Sequence, residues 1–284
     1  MSAVDAGRGG REVFGFDALA ARYEARSGLP PGVAERVARA LVEVAPARAE
    51  DWLLEVGAGT GEVGAQLERT WPGRYLALDL SLAMLAEFRR RPRPPGRRSQ
   101  GSRSIQADAA APWPLGGPLR LVFCARAAHL VGPGQLAEEV CRRLDRRGSW
   151  LVLGRVGRQP ASVRATLRRE MRRRLAAAGR PGRDGDSSLR DLLALLERLG
   201  GRLQERRVVA AWAVAERPRD ALRAWRERAG LAGLAAGELP AADKRELLAS
   251  LERWALRRFG DLDREFDAEE RYELTAIELP RGDA

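Results

Sequence analysis

Leu53-Leu54-Glu55-Val56-Gly57-Ala58-Gly59-Thr60-Gly61-Glu62 is an apolar run interrupted by one acid and followed by three glycines spaced two apart. It reads as strand, glycine turn, helix. Leu53 to Val56 has the character of a short strand buried on both faces of a parallel sheet, and Val63 and Leu67 continue as a helix. Glycine suits the turn because it tolerates positive φ and has no Cβ to hold a ligand away from the backbone. A dinucleotide-binding GxGxxG would carry its last glycine at position 62, where this chain has Glu62. The spacing is GxGxG, which argues against NAD or FAD.

Two later segments repeat the pattern of a strand ending in an acid. Tyr75-Leu76-Ala77-Leu78-Asp79 places a carboxylate twenty residues after Gly59, where it can accept hydrogen bonds from both hydroxyls of a ribose. Ser81 then caps a helix through Met84, Leu85 and Phe88. Ser104-Ile105-Gln106-Ala107-Asp108 is the third such segment, and Ala109 to Pro114 would pass an adenine edge.

Together these segments resemble the class I S-adenosylmethionine-dependent methyltransferases, and within them the group similar to the menaquinone/ubiquinone-biosynthesis methyltransferases. The resemblance is carried by EVGAGTGE at 55–62, ALDLSLAML at 77–85, IQADAAAPWPL at 105–115 and HL at 129–130. Phe16-Asp17 with Ala20 and Tyr23 resembles that group's leader helix, and the tail from Glu269 to Leu279 its last strand. Residues 157–268 match only loosely. The resemblance implies an α/β fold, a Rossmann-like seven-stranded sheet with helices on both faces. It implies a helical leader over 1–48, a cofactor-binding core over 49–156, and lid insertions with the last two strands over 157–284, in one structural domain.

The implied cofactor is S-adenosyl-L-methionine. Gly57, Gly59 and Gly61 would let the backbone approach it, with Glu55 near its amino end, Asp79 on the ribose, and Asp108 on the adenine amine beside Ala109. Leu80 and Met84 could pack the adenine faces, and read equally as core side chains. The leader would close over the methionine end and bring Tyr23 or Arg26 near the carboxylate; Tyr23 as a packing residue and Arg26 as surface charge stand beside that reading.

The 284 residues suffice for one large core and carry a net charge of +11. Such a charge suggests a polyanion partner. Lys244 is the only lysine, however, and arginine abundance beside alanine, glycine and leucine is also what a GC-rich genome produces. Arg89 to Arg103 reads as a loop, and no aromatic alternates with its arginines as a platform for stacked bases would require. Nucleic acid is therefore a possible partner but not the favoured one. Cys124 and Cys141 form neither a CxxC pair nor a Cys/His cluster, so no disulfide framework or metal site is expected. Met1 to Arg11 has no apolar core of a signal peptide and no run reaches membrane-spanning length, which points to a soluble cytoplasmic protein.

Along the chain, residues 1–12 read as disordered, 14–23 as a helix broken at Leu29-Pro30-Pro31-Gly32, and 32–45 as a second helix with Val33, Val37, Leu41 and Val44 on one face. Leu119 to Ala125 is the fourth strand, with Arg120 where related enzymes carry an aspartate, and Ala127 to Val131 a turn beside the transferable methyl. Helix 136–144 and strand 150–153 follow. Helices are then expected at 161–178 and 189–199, joined by a linker over 180–186, and strands at 204–215 and 272–279 around a helical lid over 218–259.

A sulfonium methyl is already activated, so catalysis needs mainly alignment and exclusion of water, and no triad or paired acids are required. His129, the only histidine, could take a proton from a phenol or hydroxyl acceptor, or could simply wall the pocket. Trp113, Trp212, Trp225 and Trp254 could form an apolar acceptor pocket or fill core space. Cys124-Ala125-Arg126-Ala127 stands where an Asn/Asp-Pro-Pro-aromatic tetrapeptide would mark methylation of base amines, and no Pro-Cys dipeptide marks 5-methylcytosine chemistry. The expected activity is methyl transfer to a small, apolar or aromatic acceptor by a monomer or homodimer. Methylation of RNA or another macromolecule, or a binding protein without turnover, are the alternatives.

Overall fold

The strand leading into the glycine turn is an interior strand of a seven-stranded sheet in the computed structural model, which describes residues 17, 20–92, 103–181, 185–227, 231, 234 and 238–281. Residues 1–16 and most of the arginine-rich stretch 89–103 lie outside the described residues, as do 182–184 of the linker. The strands are β1 (Trp52–Val56), β2 (Arg74–Asp79), β3 (Arg103–Gln106), β4 (Leu121–Ala125), β5 (Ser149–Arg158), β6 (Arg202–Glu216) and β7 (Phe266–Leu279), in the order β3-β2-β1-β4-β5-β7-β6.

β1 pairs in parallel with β2, Leu54 opposite Leu76, and with β4, Glu55 opposite Phe123. β3 and β5 extend this parallel core on either side. Because side chains alternate along a strand, Leu54, Val56, Leu76, Leu78, Val122, Cys124, Leu151 and Leu153 share one face. On it they form a buried cluster with α6 (Pro133–Cys141) and α8 (Gly185–Arg198) through Leu136, Ala137, Val140, Leu192 and Leu196. The opposite face presents Leu53, Glu55, Tyr75, Ala77 and Phe123. It is covered by α3 (Gly64–Thr70) and α4 (Leu82–Arg90), and α2 (Val33–Val44) packs beside α3. The parallel strands are therefore covered on both sides, as their unbroken apolar runs require.

The chain divides into two compact units: residues 1–155, 188–210 and 272–284, and residues 156–187 and 211–271. In the first, α8 packs on the sheet's core instead of standing apart as a lid helix. The second has its own core. There α7 (Val163–Ala177) buries Val163, Leu167, Met171 and Leu175 against Leu222 and Trp225 of α9 (Pro218–Glu227) and Leu248, Leu251 and Ala255 of α10 (Ala241–Phe259). Ser162 caps α7, accepting the Ala165 N–H at 3.2 Å. Trp225 is buried in this core with Trp254 partly buried against it, and Trp113 is buried in the first unit's cluster, so packing is what holds these three tryptophans.

Arg120, which stands where the resembled enzymes carry an aspartate, lies just before β4. Its guanidinium donates to Pro46 O at 3.2 Å and to Arg147 O at 3.1 Å and Gly148 O at 2.5 Å, joining two loops below the sheet.

Candidate functional site

The glycine turn is pinned to the end of β2 by Gly57 and Ala58, whose N–H groups donate to Leu78 O at 2.8 and 3.1 Å. All three glycines have positive φ, 71°, 57° and 76° for Gly57, Gly59 and Gly61. Their surroundings differ. A Cβ on Gly61 would sit 2.1 Å from Phe88 Cδ2, and one on Gly57 2.5 Å from Ala127 Cβ, so these two glycines serve protein packing. A Cβ on Gly59 would meet no protein atom within 4 Å. Of the three, Gly59 is the one whose bare backbone faces away from the protein, as a ligand cradle requires.

Asp79 ends β2 directly beside it. Oδ2 accepts the Gly59 N–H at 2.7 Å and Oδ1 the Ser81 N–H at 2.9 Å, which fixes the plane of the carboxylate. Burial pushes the Asp79 carboxyl above its ordinary range, against the opposing pull of these backbone donors. Ser81 caps α4 by accepting the Met84 N–H at 3.1 Å. Asp108 follows β3, which the pairing of Asp79 with Gln106 holds next to β2, and its Oδ1 accepts the Ala110 N–H at 2.8 Å. Asp108, Ala109 and Leu80 are half-buried, whereas Met84 is 2% exposed and belongs with the core side chains of α4. The strand pairing thus gathers the glycine turn, Asp79 and Asp108 along one end of the parallel strands, where open α/β sheets bind ligands.

Glu55 lies just beneath. It is 3% exposed, and Oε2 accepts the Tyr75 hydroxyl at 2.5 Å. A Cβ on Gly64 would lie 2.3 Å from Tyr75 Oη and 2.8 Å from Glu55 Oε2, so this fourth glycine is what admits the pair. Burial pushes the Glu55 carboxyl up to about 8, opposed by the Tyr75 hydrogen bond and the charge of Arg126. Tyr272 of β7 is fully buried, its hydroxyl without a hydrogen-bond partner, and burial raises its phenol.

His129 lies on α5 (Ala128–Val131), a single helical turn after β4, and its side chain is exposed. Ala127, packed against Gly57, places this turn beside the glycine loop. Tyr23 is on α1 (Tyr23–Ser27) with the Arg126 guanidinium 5.8 Å from its ring centroid; the Arg26 side chain lies outside the described residues. The sequence reading missed Glu62 and Arg126. Arg126 Nη2 pairs with Glu62 Oε2 at 3.0 Å, Nη1 donates to Ser27 O at 2.6 Å, and Glu62 Oε1 accepts the Leu29 N–H at 2.7 Å. The signal was present: an acid at the position of a missing glycine, and an arginine immediately after a strand. No group of three or more His, Cys, Asp or Glu able to hold a metal occurs among the described residues. Nor is any described helix long and apolar enough to cross a membrane.

Residues 53–148 match the family model of a methyltransferase domain. No curated protein matches the chain in sequence. Among solved structures, the chain is similar to the BH2331 protein of Bacillus halodurans, with 18% identity, 86% of this chain and 98% of that one covered, and a TM-score of 0.51. The YcgJ protein of Bacillus subtilis gives 16% identity, the same two coverages of 86% and 98%, and a TM-score of 0.51. A third, geranyl diphosphate C-methyltransferase of Streptomyces coelicolor with S-adenosylhomocysteine bound, is 16% identical over 86% of this chain and 75% of that one, TM-score 0.48. At these identities the likeness is one of fold. The matched segment runs from β1 through α6 to the start of β5 and so contains the glycine turn, Asp79 and Asp108.

Proposed function

We propose that the chain transfers a methyl group from S-adenosylmethionine to a small, apolar or aromatic acceptor by in-line displacement. The observation that carries the reading is Asp79 locked by Gly59 and Ser81 N–H groups beside a glycine face that no protein atom covers. Asp79 and Asp108 would hold the ribose and the adenine amine, Leu80 an adenine face, and Glu55 would lie nearest the amino end, with Tyr23 contributing from the leader. When bound, the cofactor supplies a methyl group on a positively charged sulfur, already activated for attack. The chain's own task is then to orient the acceptor and exclude water.

His129, exposed on the turn after β4, would accept a proton from a hydroxyl acceptor. His129→Ala should lower turnover while leaving S-adenosylhomocysteine affinity unchanged; a fully active variant removes the base. The favoured partner remains a small molecule. Where their contacts are described, several arginines are used internally: Arg173 and Arg174 pair with Glu170 of the same helix, Arg90 with Glu87, and Arg89 donates to Ser104.

Calorimetric titration with S-adenosylmethionine, S-adenosylhomocysteine and NAD tests the cofactor reading. The first two should bind and NAD should not, and Asp79→Ala should weaken binding by about a hundredfold, the loss of two charge-assisted hydrogen bonds. Unchanged affinity in the variant would remove the ribose assignment.

A further inference from the structure

Two arginines flank the glycine turn, and both reach from it to the leader. Arg91, after α4, donates from Nε to Thr60 O at 2.7 Å and pairs through Nη2 with Glu24 of α1. Arg126, after β4, pairs with Glu62 at 3.0 Å and donates to Ser27 O at 2.6 Å, while Glu62 takes the Leu29 N–H at 2.7 Å. Each bridge therefore has one foot on residues 60–62 and the other on 24–29. The fit is close: a Cβ on Gly28 would lie 3.1 Å from Glu62 Oε1. A third tie, Ser81 hydroxyl to Asp17, fastens the leader to the cap of α4. Arg126 alone among the described non-glycine residues has a left-handed backbone, φ 59°, which an arginine adopts only where its surroundings impose it.

We propose that Arg126 and Arg91 form a two-point strap that couples the leader to the glycine turn and so sets how long the cofactor stays bound. The inference rests on the cofactor reading above. Its physical basis is that the strap grips Thr60 O and the Glu62 side chain. Fixing these two residues fixes the peptide planes on either side of Gly61 and, through them, the backbone presented at Gly59. Opening the leader requires releasing that grip, and a tightened turn resists opening in return. The Arg126–Glu62 foot is the more shielded, with side-chain exposures of 28% and 11% against 27% and 44% for Arg91–Glu24. Arg126 is a positioning residue here, acting through Glu62 and the leader, and it should be the stronger of the two bridges.

Arg126→Gly is the decisive variant because glycine keeps the left-handed backbone without strain while removing the side chain that pairs with Glu62, donates to Ser27 O and faces the Tyr23 ring. On the purified full chain, hydrogen exchange over residues 20–32 should quicken by about tenfold while β1 stays unchanged, and S-adenosylhomocysteine should dissociate about tenfold faster. Arg91→Met should give a smaller change in both readouts, and Arg126→Lys, which keeps charge but not the two-pronged donor, only partial rescue. Leader exchange within about twofold of wild type, or equal quickening in β1, would overturn the strap. Failure of the wild-type chain to bind S-adenosylhomocysteine would overturn the cofactor reading and the residence-time part of the strap with it, while the exchange comparison would still decide whether the two arginines couple the leader to the turn.

Discussion

Glu139 and Glu55 are equally shut away from water, at 0% and 3% exposure, yet their partners make them different devices. Glu139, on α6, meets two guanidiniums, Arg143 at 2.7 Å and Arg142 at 2.8 Å, and also accepts the Trp113 N–H at 2.8 Å. Arg143 goes on to donate to Trp113 O at 2.9 Å and Leu115 O at 3.1 Å, so one fork ties the loop after Asp108 to the helix behind it. Glu55 takes its hydrogen bond from a phenol, and burial outweighs the more distant charge of Arg126. A buried carboxyl with cations at hand becomes a structural knot. One without a cation in contact stays neutral to unusually high pH.

The contrast is broken most directly at Glu139. Glu139→Ala leaves Arg143 buried with its counter-charge gone, a change that costs about 3–5 kcal/mol where measured elsewhere. Urea unfolding should show that loss, and a variant within about 1 kcal/mol of wild type would mean the knot is dispensable.

Glu55 gives the next largest effect, and its sign is opposite to that of an ion-paired acid. The folded chain holds Glu55 protonated up to about pH 8, whereas the unfolded chain releases that proton above the ordinary value of 4.5. Between those limits the unfolded state binds fewer protons, so stability falls as pH rises from about 4.5 to 8 and levels off beyond, by a few kcal/mol in all. Glu55→Gln should flatten that slope and exceed wild type in stability near pH 8.5. Parallel pH curves for the two proteins would assign the slope to other groups.

Local chemistry was legible in the sequence, and long-range partnership was not. The apolar run of β1, the Ser81 cap and the acids ending β2 and following β3 are written in neighbouring residues, and each stands where the spacing placed it. The Arg126 bridge joins residues 62, 27 and 126, separated by 64 and 99 positions, and no local pattern announces which acid an arginine will find. Helix α8 shows the same limit. Its apolar stripe declared a helix with one buried side, but Leu192 and Leu196 carry no mark saying whether a sheet or a lid will cover them. Gly64 was passed over because the side chains that crowd it, Tyr75 and Glu55, come from two other elements.

The smallest effect separates packing from cradle within the turn itself. Gly61→Ala adds a methyl 2.1 Å from Phe88 Cδ2 at φ 76°, and should cost about 2–3 kcal/mol of stability from overlap and left-handed strain together. Gly59→Ala adds a methyl that touches no protein atom at φ 57°, so only the strain remains, about 1 kcal/mol. Its cost should appear instead in S-adenosylhomocysteine affinity, as a loss of about tenfold or more, because the new methyl stands where the cofactor would approach the backbone. Urea unfolding and calorimetry run side by side on the two variants read both quantities. If Gly59→Ala binds as tightly as wild type, the bare face at Gly59 is a feature of the turn's geometry alone, and the cradle must lie elsewhere along the ends of the parallel strands.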